Sequence, residues 1–193
     1  MKIASLIEFC ELLVQFQETE RHMLLPSGQR EENDAEHSYM LAMTAWYVAA
    51  QAKLPLDIGR VIKYALAHDL IETYAGDTFI YDEERVADKH QRERVAADIL
   101  QRNYPDFGEM HELIARYEAR ADAEAKFVYA LDKVIPVVLI YLGEGKSWQR
   151  DNITLAMLRH HKEDKVTESA TVADLFTQLL ELLEARPELF PRA

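Results

Sequence analysis

The sequence predicts an all-α protein, a bundle of about seven to nine helices. Apolar residues recur at three- and four-residue steps along nearly the whole chain, the period of helices with one buried face. The 193 residues include only 6 Gly and 6 Pro, too few for the turns of an all-β chain. Hydrophobic residues make up 49%, so a core can form and disorder is not the default.

The elements follow in order. Ile3, Leu6, Ile7, Cys10, Leu13 and Val14 fit the i, i+3, i+4, i+7 template of a first amphipathic helix. Residues 20–33 are polar and hold Pro26-Ser27-Gly28, a turn signal. A second helix starts near Asp34, a good N-cap, carries His37, Leu41, Thr44 and Val48 on one stripe, and stops at Leu54-Pro55. Asp57 or a nearby residue opens a third, with Ile58, Val61, Ile62, Ala65 and Leu66 apolar, which ends near Ala67-His68-Asp69-Leu70. Residues 77–94 are charge-rich and read as a solvated loop entering a helix, with a lid over a site as the sharper alternative. Val95, Ala96, Ile99 and Leu100 continue that helix, and Met110, Leu113, Ile114 and Tyr117 form another. A long helix covers about 122–142, a weaker one about 150–161, and the last carries Val172, Leu175, Phe176, Leu179, Leu180 and Leu183. No internal repeat or linker divides the chain, so residues 1–193 are expected to form one domain.

Charge and cysteine content narrow the function. Lys+Arg number 22 against 34 Asp+Glu, a net charge of −12 that repels nucleic-acid polymers and anionic membranes. A small phosphate ligand, held locally by a cation, remains compatible with it. The single cysteine, Cys10, cannot form an intramolecular disulfide or a Cys-built zinc site. The longest apolar run, 134–142, is too short to span a bilayer, and Glu8 and Glu11 interrupt the N-terminal stretch, unlike a signal peptide. The expectation is a soluble, cytoplasmic protein.

The informative residues are polar ones on apolar helix faces. Asp132 falls inside the stripe formed by Val128, Leu131, Ile135, Val138, Leu139 and Leu142, and an unpaired buried carboxylate is costly, so it must be partnered or bind metal. Pro136, four residues on, removes the amide that the Asp132 carbonyl would otherwise accept from, so the helix is expected to kink close to this acid. His68 and Asp69 extend the buried stripe of the third helix, and Glu72 falls on the same face if that helix continues one turn. His37 lies on the inward face of the second. Each of these alone has an ordinary explanation as a satisfied core residue or a buried ion pair. Together, two imidazoles and two carboxylates from three helices form the ligand set of a divalent transition metal.

These residues resemble the HD superfamily of metal-dependent phosphohydrolases, whose pattern is His, then His-Asp, then Asp. Arg30-Glu31-Glu32-Asn33-Asp34-Ala35-Glu36-His37-Ser38 and His68-Asp69-Leu70-Ile71-Glu72-Thr73-Tyr74-Ala75-Gly76-Asp77 are similar to the bacterial 5′-deoxynucleotidases and their HD-domain-containing relatives. The similarity covers about residues 1–145, with the helices of 150–186 completing the domain. The resemblance implies that His37, His68, Asp69 and Asp132 bind one divalent ion, among Mn, Co, Fe, Zn, Ni or Mg. It implies Glu72 as general acid/base and Asp77 as the residue that orients water or binds the sugar. Arg21 takes the place of the phosphate-binding arginine, with Arg30 the other arginine upstream of His37. The segment 133–148 departs from the deoxynucleotidase pattern.

The implied activity is hydrolysis of a (deoxy)nucleoside 5′-monophosphate to nucleoside and phosphate by attack of a metal-activated water. Tyr74, Phe79, Tyr81, Tyr141 and Trp148 are the aromatic residues available to flank a base. A guanosine-tetraphosphate hydrolase is disfavoured because Thr73, not an acid, follows Glu72, and a dinuclear phosphodiesterase because His90, His111, His160 and His161 lack ligand spacing. The alternatives kept open are an HD enzyme for another small phosphate ester, and a nucleotide-binding or structural HD module without turnover. The expected partner is a small phosphorylated substrate, and the resemblance makes a homodimer a possible assembly.

Overall fold

Asn33 sets where the second helix begins. Its side chain accepts from the Glu36 amide at 2.9 Å, and the Glu36 carboxylate accepts from the Asn33 amide at 3.2 Å. This reciprocal capping box leaves Asp34, expected as the cap, as the first helical residue, fully buried. The computed structural model describes residues 2–192.

Helix α1 spans Ile3–Glu18, strands β1 (Glu20–Leu24) and β2 (Glu31–Asn33) form an antiparallel hairpin, and α2 runs Asp34–Gln51. α3 (Ile58–Ala67) is followed by the single turn α4 (Glu72–Ala75), then α5 (Glu83–Asn103), α6 (Gly108–Glu118) and α7 (Ala123–Leu142). α8 (Lys146–Arg150), α9 (Leu155–Val166), α10 (Ala170–Glu184) and a 3-10 turn (Pro187–Leu189) complete the chain. The fold is all-α, as expected, apart from the small hairpin, which the polar turn signals of residues 20–33 did not announce as strands.

α7 is the central helix, packed by α2, α3 and α6 and, from the C-terminal side, by α9 and α10. It continues through Pro136 as one helix. Leu41, Ala45, Val61, Tyr64, Val128 and Leu131 meet in the main core, all at most 2% exposed. A second apolar cluster joins α1 to the start of α4, to α5 and to α6 through Leu12, Phe16, Ile71, Leu100 and Ile114. The α1 stripe is a correction. Ile3, Leu6, Ile7, Leu13 and Val14 are exposed, and the helix is anchored by Leu12 and Phe16 on its other side. The periodicity identified the helix but not which of its faces is covered.

Candidate metal centre and its cleft

Four elements deliver the polar groups. Asp57 caps α3 through the Arg60 amide, and the helix ends at Ala67, so His68 and Asp69 leave its last turn pointing at α2 and α7. Glu72 begins α4, a separate turn rather than a continuation of α3. Gly76 then adopts a φ of 70°, a left-handed conformation that turns the chain towards Asp77. His37 comes from the first turns of α2 and Asp132 from the middle of α7.

The four predicted ligands converge. His37 Nε2 lies 2.9 Å from Asp132 Oδ1 and 4.0 Å from Asp69 Oδ2; His68 Nε2 lies 3.0 Å from Asp69 Oδ2 and 3.9 Å from Asp132 Oδ1. Both histidines are buried. His68 Nδ1 donates to the Ala65 carbonyl at 3.0 Å, because a carbonyl only accepts. In the neutral ring that bond leaves the lone pair on Nε2, which faces two carboxylate oxygens and has no hydrogen-bond partner of its own. Lone pairs facing carboxylates repel unless a cation or a proton sits among them. The donor set therefore fits a divalent ion.

A supporting ring was not visible in the sequence. Glu32 Oε2 stands 3.6 Å from His37 Nδ1, and Lys133 Nζ and the Tyr117 hydroxyl donate to Asp132 Oδ2 at 2.5 and 3.3 Å, which turns Oδ1 towards the histidines. Burial opposes ionisation of Asp132, but Lys133 and then His37 outweigh it and hold its pKa well below the ordinary range. Asp69 is likewise held low against burial, by His68 and Arg21. Burial and Arg21 oppose a proton on His37, yet Asp132 and Glu32 raise its pKa. The strand alternation of β2, with Glu32 inward between Glu31 and Asn33, was the one available signal for Glu32.

Arg21 and Arg30 separate cleanly. Arg30 is exposed and forks onto Glu36. Arg21, on β1, reaches into the centre: Nη1 donates to Asp34 Oδ1 at 2.9 Å and Asp69 Oδ2 at 2.8 Å, and lies 3.6 Å from Glu72. Its Nη2 lies 3.8 Å from Asp77. Burial pushes Asp34 up to about 7 against Arg21, with Asp69 and Asp77 adding to the push. Burial, then Asp69 and Asp77, raises Glu72 well above the ordinary carboxylate range, opposed by Arg21. Glu72 Oε2 is buried without a hydrogen-bond partner.

A cleft opens beside this centre, bordered by Arg21 and Asp77 and walled by Phe79, Tyr81, Pro136, Trp148 and Leu158. Of the aromatic candidates, Phe79, Tyr81 and Trp148 line it. Tyr74 packs instead with the second cluster, and Tyr141 lies under Arg186. The charge-rich segment begins as the cleft-lining loop of Thr78 to Tyr81 and becomes α5 at Glu83. Among the described residues, no helix is long and apolar enough to cross a membrane.

A helical bundle that brings together a His from α2, the His-Asp pair that follows α3 and an Asp from α7 defines the HD class. A family model described as HD domain matches residues 13–173, and the chain belongs to that family. The human 5′-deoxynucleotidase HDDC2 is 32% identical over 132 residues, 67% of this chain and 63% of that protein. The chain thus aligns with just under two thirds of the length of that relative. The Schizosaccharomyces pombe 5′-deoxynucleotidase hdd1 is 27% identical over 152 residues, 75% of each chain. A crystal structure of a predicted metal-dependent phosphohydrolase from Magnetospirillum magnetotacticum MS-1 superimposes with a TM-score of 0.83 at 34% identity, covering 98% of this chain and 96% of that one.

Proposed function

We propose that this protein is a divalent-metal-dependent phosphohydrolase that cleaves a (deoxy)nucleoside 5′-monophosphate to nucleoside and phosphate. His37, His68, Asp69 and Asp132 would hold the ion. The observation that carries the reading is His68 Nε2, buried without a hydrogen-bond partner and facing Asp69 and Asp132 while Nδ1 is held by the Ala65 carbonyl. The names of the HDDC2 and hdd1 relatives, and of the Magnetospirillum structure, support the same chemistry. The same reading takes residues 1–193 as one catalytic domain.

A divalent ion in such a centre neutralises phosphoryl charge and acidifies bound water. The chain supplies the rest. Glu72, whose Oε2 is buried with no hydrogen-bond partner and lies 3.6 Å from Arg21, would take a proton from the attacking water and return one to the departing 5′-oxygen as the P–O bond breaks. Arg21 and Asp77 both border the cleft: the Arg21 guanidinium would donate to phosphoryl oxygens, and Asp77 would accept from a sugar hydroxyl or position water. The Phe79, Tyr81 and Trp148 walls exclude water and give a base flat apolar surfaces.

The test is phosphate release from a panel of deoxy- and ribonucleoside 5′-monophosphates by metal-depleted protein resupplied with Mn²⁺, Co²⁺ or Mg²⁺. Metal-dependent release from at least one nucleotide is expected. Bound metal without release from any nucleotide or other monoester would leave a binding module in place of an enzyme.

A further inference from the structure

The cleft has a cation that the reading above does not use. Lys162 lies on α9, one turn after Leu158, and both line the cleft with Arg21 and Asp77. Lys162 is only 9% exposed. Lysine is almost never this buried without an anionic partner. Among the described residues, Lys162 makes no hydrogen bond and no carboxylate oxygen comes within 4.0 Å of its Nζ.

The other cations of the cleft are already engaged. Arg21 has Asp34, Asp69, Glu72, Asp77 and Glu32 all within 3.9 Å. His22 faces Asp151 at 3.2 Å and Glu31 at 3.8 Å. The acidic groups at the rim and the −12 net charge of the chain oppose approach of a dianion. Beside Arg21, whose charge is shared among five carboxylates, a phosphate monoester therefore calls for a second cation whose donors are not spent on the protein itself. We propose that Lys162 is that group: a substrate-binding residue whose ammonium contacts the phosphoryl oxygens of the monoester in the cleft, beside Arg21.

Two further observations agree. Burial, then Lys133, holds the Lys162 pKa down to about 7, so the protein's own groups disfavour the charge that an anionic ligand would restore. The surrounding aromatic and aliphatic walls lower the local dielectric, which strengthens a charge-assisted contact to phosphate. The inference rests on the phosphohydrolase reading for the identity of the ligand, but its test does not require turnover.

The experiment compares wild type, Lys162→Met and Lys162→Arg, each loaded with Mn²⁺, by calorimetric titration with inorganic phosphate and, separately, with uncharged thymidine. Methionine keeps the length and removes the charge, so the fold and the metal content should persist. Phosphate affinity is expected to fall at least tenfold in Lys162→Met and to stay within about threefold in Lys162→Arg, with thymidine binding unchanged in both. A Lys162→Met protein that keeps its metal and binds phosphate within twofold of wild type would overturn the assignment. So would a wild type that binds no phosphate, or a loss of thymidine affinity as large as that for phosphate. Phosphate binding that depends on Lys162 in a protein that hydrolyses no monoester would instead uphold the contact and refute the enzyme.

Discussion

The Glu32 carboxylate faces Nδ1 of His37 at 3.6 Å, and both side chains are buried to within 1% of complete exclusion from solvent. A carboxylate behind an imidazole fixes the ring and raises the basicity of the opposite nitrogen, here the Nε2 directed at Asp69 and Asp132. Glu32→Ala should therefore weaken divalent-metal affinity by about 10- to 100-fold without removing a ligand. A metal titration checks this; unchanged affinity in a folded variant would reduce Glu32 to a core residue.

Asp69 has two roles in the centre, as a carboxylate beside both histidines and as a partner of Arg21. Asp69→Ala should abolish metal retention and phosphate release together, measured as metal content and turnover of the same preparation. Turnover that survives in the metal-free variant would refute the ligand assignment.

Glu72 can be separated from the ligands because its Oε2 makes no hydrogen bond within the protein. Glu72→Gln keeps the volume and removes the proton transfer. Metal content should stay at the wild-type level while turnover falls about 10²-fold or more. A variant that loses metal as well would place Glu72 among the groups holding the ion.

Arg21 and Arg30 should respond differently. Arg21→Ala strips the counter-charge from a buried carboxylate cluster, which costs about 3 kcal/mol or more of metal-free stability when one partner of a buried pair is removed. It should also raise KM for phosphate substrates. Arg30→Ala removes an exposed pair with Glu36 and should leave KM unchanged. Equal effects of the two substitutions on KM would contradict the placement of Arg21 at the phosphoryl group.

The main features of the centre were legible because they violate a strong rule. His37, His68, Asp69 and Asp132 are polar residues on stripes that otherwise read as core, and each helix was recognisable from its period alone. The supporting residues violate nothing. Tyr117 reads as one more core aromatic, Lys133 as a solvated neighbour of Asp132, and Asp34 as an ordinary cap until Asn33 is seen to hold that position. Glu32 depends on a three-residue strand whose pairing is set by the hairpin, not by local propensity. The outward stripe of α1 shows the same limit: period is local, whereas what covers a face is decided by helices far along the chain.

Lys162 was hidden for a related reason, since a lysine on a weakly amphipathic helix reads as surface, yet its burial has a consequence independent of catalysis. Its pKa is lowered from 10.5 to about 7, by burial first and then by Lys133, with Lys165 and Arg21 acting in the same direction and Asp132 opposing. Between those two pH values the unfolded chain keeps a proton that the folded protein has released, so this group makes stability rise with pH across the window. Falling pH from 10.5 towards 7 therefore costs wild type stability, and below 7 the effect levels off because both states are protonated. Lys162→Met lacks the proton in both states. Urea unfolding of the metal-free proteins at pH 7, 8 and 9 should show the methionine variant the more stable at pH 7, with the gap narrowing steadily towards pH 9. Parallel stabilities across the series would mean that the Lys162 ammonium is solvated or paired in solution, and the unspent cation of the cleft would have to be sought elsewhere.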